Sequence, residues 1–237
     1  MIIDIHTHVG RSQHAATNIG LLQVEMRKNR VDFSACFVLG SNVKENRLAL
    51  VKECWKGIFP FFRFDPKNIT VEELEEYLPL FKGVKLHPRL EDFDPLDERF
   101  AKIFEVIEKH RIPILIHTRK ENNDHSDPDR LLSLVEKYKG INFIFGHFAN
   151  AVESVIGRTK DLPNLFLETS IVSSPKIIEM AVKKCGSEKI LFGSDFPYSD
   201  QELELQKVLR AEISFADKEN ILYRNALRLL EVDSFGK

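Results

Sequence analysis

Two kinds of apolar pattern alternate along this chain. Short unbroken runs rich in Ile, Val, Leu and Phe occupy positions 2–6, 33–39, 58–64, 83–87, 113–117, 142–146, 165–169 and 189–193. Runs of this length and composition predict strands buried on both faces, as in a parallel sheet. Between them, apolar residues recur every three or four positions, the period of an amphipathic helix. Phe100, Ile103, Phe104 and Ile107 make one such stripe, and Leu131, Leu134, Val135 and Tyr138 another. Weaker stripes run through Ile177, Met180 and Ala181 and through Leu203, Val208 and Leu209. Thr70 and Ser174 stand where N-caps belong, the second followed by a proline, and a last helix is expected over 218–230. Strand starts lie about 23 to 31 residues apart, the size of one βα unit. Eight such units in series predict an α/β fold, a single (β/α)8 TIM barrel spanning 1–237 as one domain. A doubly wound open sheet, with its smaller strand number, fits less well.

Composition narrows the function classes. The chain has 237 residues, of which 43% are hydrophobic and 30% charged, with a formal net charge of -2 and no basic block. That balance argues against nucleic acid or an anionic membrane as a partner. No apolar run approaches the ~20 residues of a membrane helix, and the opening Met1-Ile2-Ile3-Asp4 has no cationic leader. Cys36, Cys54 and Cys185 are odd in number and widely spaced. Free thiols and a cytoplasmic setting are therefore expected, with Cys36 as core filler.

Polar residues cluster at the C-terminal ends of the expected strands, where barrel enzymes keep their chemistry. The ends read Asp4-Ile5-His6-Thr7-His8, Lys85-Leu86-His87, Ile116-His117-Thr118-Arg119, Gly146-His147, Glu168-Thr169-Ser170 and Ser194-Asp195. The two-residue strand period puts Asp4, His6 and His8 on one face and Ile3, Ile5 and Thr7 on the other. Two imidazoles two residues apart can share one divalent ion, and His117 and Asp195 can complete the set from across the barrel.

His-x-His on the first strand, single histidines on the fifth and sixth, and Asp on the eighth resemble the amidohydrolase superfamily. The wording GVKLHP at 83–88, ILIHT at 114–118 and ILFGSDFP at 190–197 resembles its amidohydrolase-2 branch. That branch includes aminocarboxymuconate-semialdehyde decarboxylase. The likeness runs from residue 4 to Asn225-Ala226. It implies His6, His8, His117 and Asp195 as metal ligands, His147 as the residue that polarises substrate or water, and Asp195 as proton acceptor as well as ligand. One ion is favoured, Zn first, with Mn, Fe, Ni or Co as alternatives. A second ion would follow if Lys85 were carboxylated, as a lysine on this strand is in some relatives. Many relatives carry a small β-sandwich before the His-x-His; with His6 so near the N-terminus, none is expected here.

Several polar residues keep two readings. Lys85, His87, Arg63 and Arg119 are candidate substrate contacts, the arginines as forks for a carboxylate; loop-anchoring roles compete for His87, Arg63 and Arg119. Glu168 either fixes the tautomer of a ligand histidine or caps a loop. Asp4 is read as a support residue rather than a ligand. The expected activity is hydrolysis of an amide, ester or lactone-type bond in a small molecule by metal-activated water. The alternative is a non-oxidative metal-dependent decarboxylase acting on a carboxylated substrate. A metal-dependent deoxyribonuclease stands behind both, and self-association into a homo-oligomer is left open.

Overall fold

The structure, a computed structural model, describes residues 1–39, 49–52, 57–121 and 124–231. Its backbone is a mixed α/β fold around a nine-stranded curled sheet. The strands are β1 (Ile3–Arg11), β2 (Ala16–Thr17), β3 (Phe33–Leu39), β4 (Ile58–Arg63), β5 (Gly83–Leu86), β6 (Ile114–Ile116), β7 (Phe143–Phe145), β8 (Leu165–Glu168) and β9 (Ile190–Leu191). Their order in the sheet is β2-β1-β3-β4-β5-β6-β7-β8-β9. From β1 to β9 every adjacent pair is parallel; β2 alone is antiparallel, folding back on the end of β1. All eight expected strands are present, and β2 is an addition too short to leave an apolar pattern. The far edge of the sheet returns to the first strand. Ile5 N–H donates to the Phe192 carbonyl at 2.9 Å, Asp195 N–H to the His6 carbonyl at 2.8 Å, and His8 N–H to the Phe196 carbonyl at 2.8 Å.

Alternation along the strands builds two cores. Ile3, Ile5, Ala35, Phe37, Phe61, Leu115, Ile144 and Leu191, from successive strands, pack together on the concave side. The intervening residues, among them Phe62, Val84, Leu86, Ile114, Ile116, Phe143 and Phe145, pack outward with the helices. The two stronger stripes hold, whereas in the weaker ones Leu203 and Leu209 are exposed and Ile178 is buried in place of Ile177. In the helix Ala101–His110 the buried residues are Ile103, Phe104, Val106 and Ile107, and in Pro128–Lys137 they include Leu131, Leu134 and Val135. Thr70 forms a reciprocal capping box with Glu73. Ser174 stands at its expected N-cap, ahead of Pro175, but its side chain makes no cap hydrogen bond. The last helix begins before 218, at Phe215, where Ser214 caps it, and it contains a π-turn over Asn220–Arg224.

That π-turn is where the last helix grips the sheet. Phe192 N–H donates to the Ile221 carbonyl at 2.9 Å. Asn225, almost fully buried, donates through Nδ2 to the carbonyls of Ser187 at 2.8 Å and Ile190 at 2.7 Å. Asn225→Ala leaves two buried carbonyls unpaired, so urea unfolding should show a loss of about 2–4 kcal/mol. A loss under ~0.5 kcal/mol would mean the helix does not anchor this edge.

Candidate active site

The first strand contains an irregularity that decides the geometry of the site. Its register to β3 runs Ile3↔Phe33 and Asp4↔Ser34, then slips by one residue to Thr7↔Cys36 and His8↔Phe37. An extra residue on one strand breaks the two-residue alternation. Asp4 therefore does not share a face with His6 and His8, as strict alternation predicts. Ile3 and Ile5 face the concave core below the bulge, and His6 and His8 face the same side above it. Asp4 points away, fully buried, to Ser194 Oγ at 2.6 Å and Gln201 Nε2 at 2.8 Å. Burial raises its carboxyl to about 6, against those hydrogen bonds. It acts as a brace between β1 and the segment carrying Asp195.

His6, His8 and Asp195 converge. Asp195 Oδ1 lies 3.1 Å from His6 Nε2 and 2.8 Å from His8 Nε2. His6 Nδ1 is 2.9 Å from Glu168 Oε1, so Glu168 orients that ring as well as capping the loops beside it. Glu168 also accepts from Ser170 Oγ at 2.7 Å, Ser170 N–H at 2.8 Å and His147 N–H at 2.6 Å. Only a glycine at 193 admits this carboxylate, because a Cβ there would collide with Glu168 Oε2 and crowd His6 Cβ.

A second group of rings lies alongside. His147 Nε2 is 2.9 Å from His117 Nδ1, and His147 Nδ1 is 2.9 Å from Ser170 Oγ. His87 stacks on His117 with ring centroids 3.9 Å apart, and its Nδ1 accepts from Leu90 N–H at 3.1 Å. A continuous polar path thus runs His117–His147–Ser170–Glu168–His6. His147 opens a run of residues with φ between 49° and 57° that continues through Ala151. Left-handed helical backbone costs roughly 1–2 kcal/mol per residue outside glycine. Such strain persists at sites where the fold over-determines it. Here Glu168 on His147 N–H and Asn150 Oδ1 on Lys120 N–H at 2.8 Å pin the turn.

Electrostatics follows from burial. Burial pushes His8 down to about 3 and His147 to about 4, and holds His87 and His117 well below the ordinary imidazole range, so these rings are neutral. His6 is the exception: burial and Lys85 oppose its charge, but Glu168 and Asp195 outweigh them and raise it. Burial opposes ionisation of Glu168 and Asp195 too, yet His6 holds Glu168 at about 2 and Asp195 well below the carboxylate range. Lys85 is buried in the same floor, its Nζ 3.2 Å from His6 Nε2, and burial lowers it to about 8.

The donor chemistry suits a cation. His6 Nε2 and Asp195 Oδ1 face each other at 3.1 Å, and a divalent ion seated between them would take the place of the proton that the raised His6 carries. His6, His8 and Asp195 each offer a ligand atom, all within 4.8 Å of one another; His6, His147 and Glu168 form a second such group. His117 belongs to neither, and its Nδ1 meets His147 Nε2. His6, His8, His117, His147 and Asp195 line a cavity of about 800 Å³, whose exposed lining includes Tyr198 and Ile171.

Arg63 and Arg119 also line the cavity, but both are engaged. Arg63 is buried, donates to the Val38 carbonyl at 3.0 Å and is clamped to Glu91. Arg119 is half exposed and paired with Glu121. Glu91 ends the short helix Pro88–Glu91, 28 residues from Arg63, whereas Glu121 is only two residues from Arg119 in the same loop.

Comparison with known proteins gives the family. The amidohydrolase-2 family model, described as amidohydrolase, matches residues 3–232. The chain belongs to that family. A curated relative, 2-amino-3-carboxymuconate-6-semialdehyde decarboxylase of Caenorhabditis elegans, is 34% identical over 83 residues, which are 32% of this chain and 21% of that protein. The match thus spans about a fifth of the curated relative. The solved 2,6-dihydroxybenzoate decarboxylase from Rhizobium has a TM-score of 0.84 at 15% identity, covering 98% of this chain and 99% of that one. A dihydroxybenzoic acid decarboxylase from a Polaromonas species, solved with bound manganese and the inhibitor 2-nitroresorcinol, has a TM-score of 0.75 at 14% identity, covering 97% and 96%. At such identities the structural likeness speaks for the fold. Among the described residues, no helix is long and apolar enough to cross a membrane.

Proposed function

We propose that this chain is a metal-dependent, non-oxidative decarboxylase of a small carboxylated substrate, working as one closed (β/α)8 domain over 1–237 in the cytoplasm. The observation that carries the reading is Lys85. It is a buried cation on the cavity floor beside the His6–Asp195 pair, and among the described residues no carboxylate comes within ion-pair distance of it. A substrate carboxylate is the natural partner for such a group. The relatives named above act on carboxylated compounds by their names, which supports this reading over the hydrolytic one expected first.

His6, His8 and Asp195 would hold the ion, with His117 joining after its ring is released from His147. His8 and His117 as neutral imidazoles and Asp195 as a carboxylate are already in their ligating forms, while His6, whose charged form is favoured, would give up a proton to the ion. Zn and Mn both suit this donor set. A divalent ion there would polarise the substrate oxygens and draw off negative charge. Lys85 would orient the carboxylate, and the C–C bond would break to give carbon dioxide. The electron pair left on carbon takes a proton, so the site needs a proton path. Asp195 and His147 border the reacting space and are the groups that would hand over that proton, with Ser170 holding the His147 ring and Glu168 holding Ser170. His87, stacked on His117, sets the orientation of that ring.

The test is to load the purified protein with Zn or Mn and supply aromatic carboxylates labelled with carbon-13 in the carboxyl group, 2,6-dihydroxybenzoate first. Labelled carbon dioxide with one decarboxylated product is expected. Turnover of ester or lactone probes without release of labelled carbon dioxide would instead restore the hydrolytic reading.

A further inference from the structure

Ile171 stands out among the cavity residues. It is 52% exposed, it lines the cavity, and its φ is 61°. A β-branched residue in the left-handed region is a true outlier, because its side chain crowds the backbone there. Glycine would sit in this turn without strain. A strained, solvent-facing isoleucine contributes little to the core, so its side chain needs another use. Tyr198, 42% exposed, lines the same opening and meets the His8 ring edge-on at 5.2 Å. One buried carboxylate holds both loops. Glu204, 2% exposed, accepts from Ile171 N–H at 3.1 Å through Oε2 and from Ser199 Oγ at 2.6 Å through Oε1, with Lys207 Nζ at 2.8 Å balancing its charge.

We infer that Ile171 and Tyr198 form an apolar clamp that selects substrates whose carboxylate is attached to a flat ring, and that Glu204 is the positioning residue that sets it. This rests on the carboxylate reading of the floor. Lys85 would hold the acid group, and the ring would lie between the two side chains above the His6–His8 face. The clamp determines specificity and takes no part in bond breaking.

The test compares binding of benzoate and acetate to the metal-loaded protein by calorimetry. Wild type should prefer benzoate. Ile171→Gly should lose about tenfold in benzoate affinity, the worth of one half-covered aliphatic side chain, with acetate unchanged and the melting temperature not lowered, since the strain is relieved. Glu204→Ala should weaken benzoate selectively, and Glu204→Gln, which still offers an acceptor to Ile171 N–H, should restore most of it. If wild type binds benzoate and acetate alike, or if Ile171→Gly weakens both equally, the clamp is wrong while the carboxylate floor stands. If neither anion binds wild type, the carboxylate reading falls and the clamp with it.

Discussion

Asp195→Asn is expected to lower turnover by roughly 10³–10⁴-fold and to leave the protein with little bound divalent metal. The substitution barely changes shape, so the loss is one of charge. Asp195 Oδ1 touches both His6 Nε2 and His8 Nε2. An amide there neutralises the anion that, among the described residues, faces both rings, and turns a ligand oxygen into a weaker one. Elemental analysis of protein reloaded with Zn or Mn measures the first effect, and carbon dioxide release at saturating metal measures the second. Asn at 195 with full metal content and turnover within tenfold of wild type would remove Asp195 from both roles. His8 should behave differently from His6 in the same assay. His6 is held from behind by Glu168, whereas buried His8 Nδ1 has no hydrogen-bond partner among the described residues.

Much of this arrangement was legible in the chain because it depends on local pattern. Eight short β-rich runs give eight strands, since a strand buried on both faces leaves an apolar run whatever its neighbours are. The helix Ile19–Asn29 left a blurred stripe, with Leu21 and Val24 exposed on it. The His-x-His spacing was readable, but the reason both rings reach the cavity was not. A bulge between Asp4 and Thr7 depends on how β1 meets β3, and Asp4 changed faces because of it. The same limit explains Arg63 and Glu204. Their partners, Glu91 in a short helix and the Ile171 N–H in a loop, lie 28 and 33 residues away, and no periodicity links them. Glu168 was legible as a polar strand end, yet only the return of the sheet to its first strand decides that it meets His6.

Lys85→Met separates the two chemistries most sharply. Methionine nearly matches the lysine stem and keeps the contact with the Phe37 ring, over which Nζ now lies at 4.8 Å. It removes a buried ammonium whose charged form is disfavoured by burial. Folding should therefore gain, or at worst lose nothing, by roughly 1–3 kcal/mol in the metal-free protein, read from urea midpoints. Activity should move the other way. If Lys85 anchors the substrate carboxylate, kcat/KM for carboxylated probes falls about 10²–10³-fold, as for a lost buried charge pair, with metal content held at one ion per chain. A neutral ester carries no charge for the ammonium to anchor, so a hydrolase would keep most of its ester turnover in Lys85→Met. A fall from two ions to one would assign Lys85 to a bridge between metals and take the carboxylate anchor away from it. The combination of a more stable protein, unchanged metal and lost carboxylate turnover is one that neither a bridging lysine nor a hydrolytic site produces.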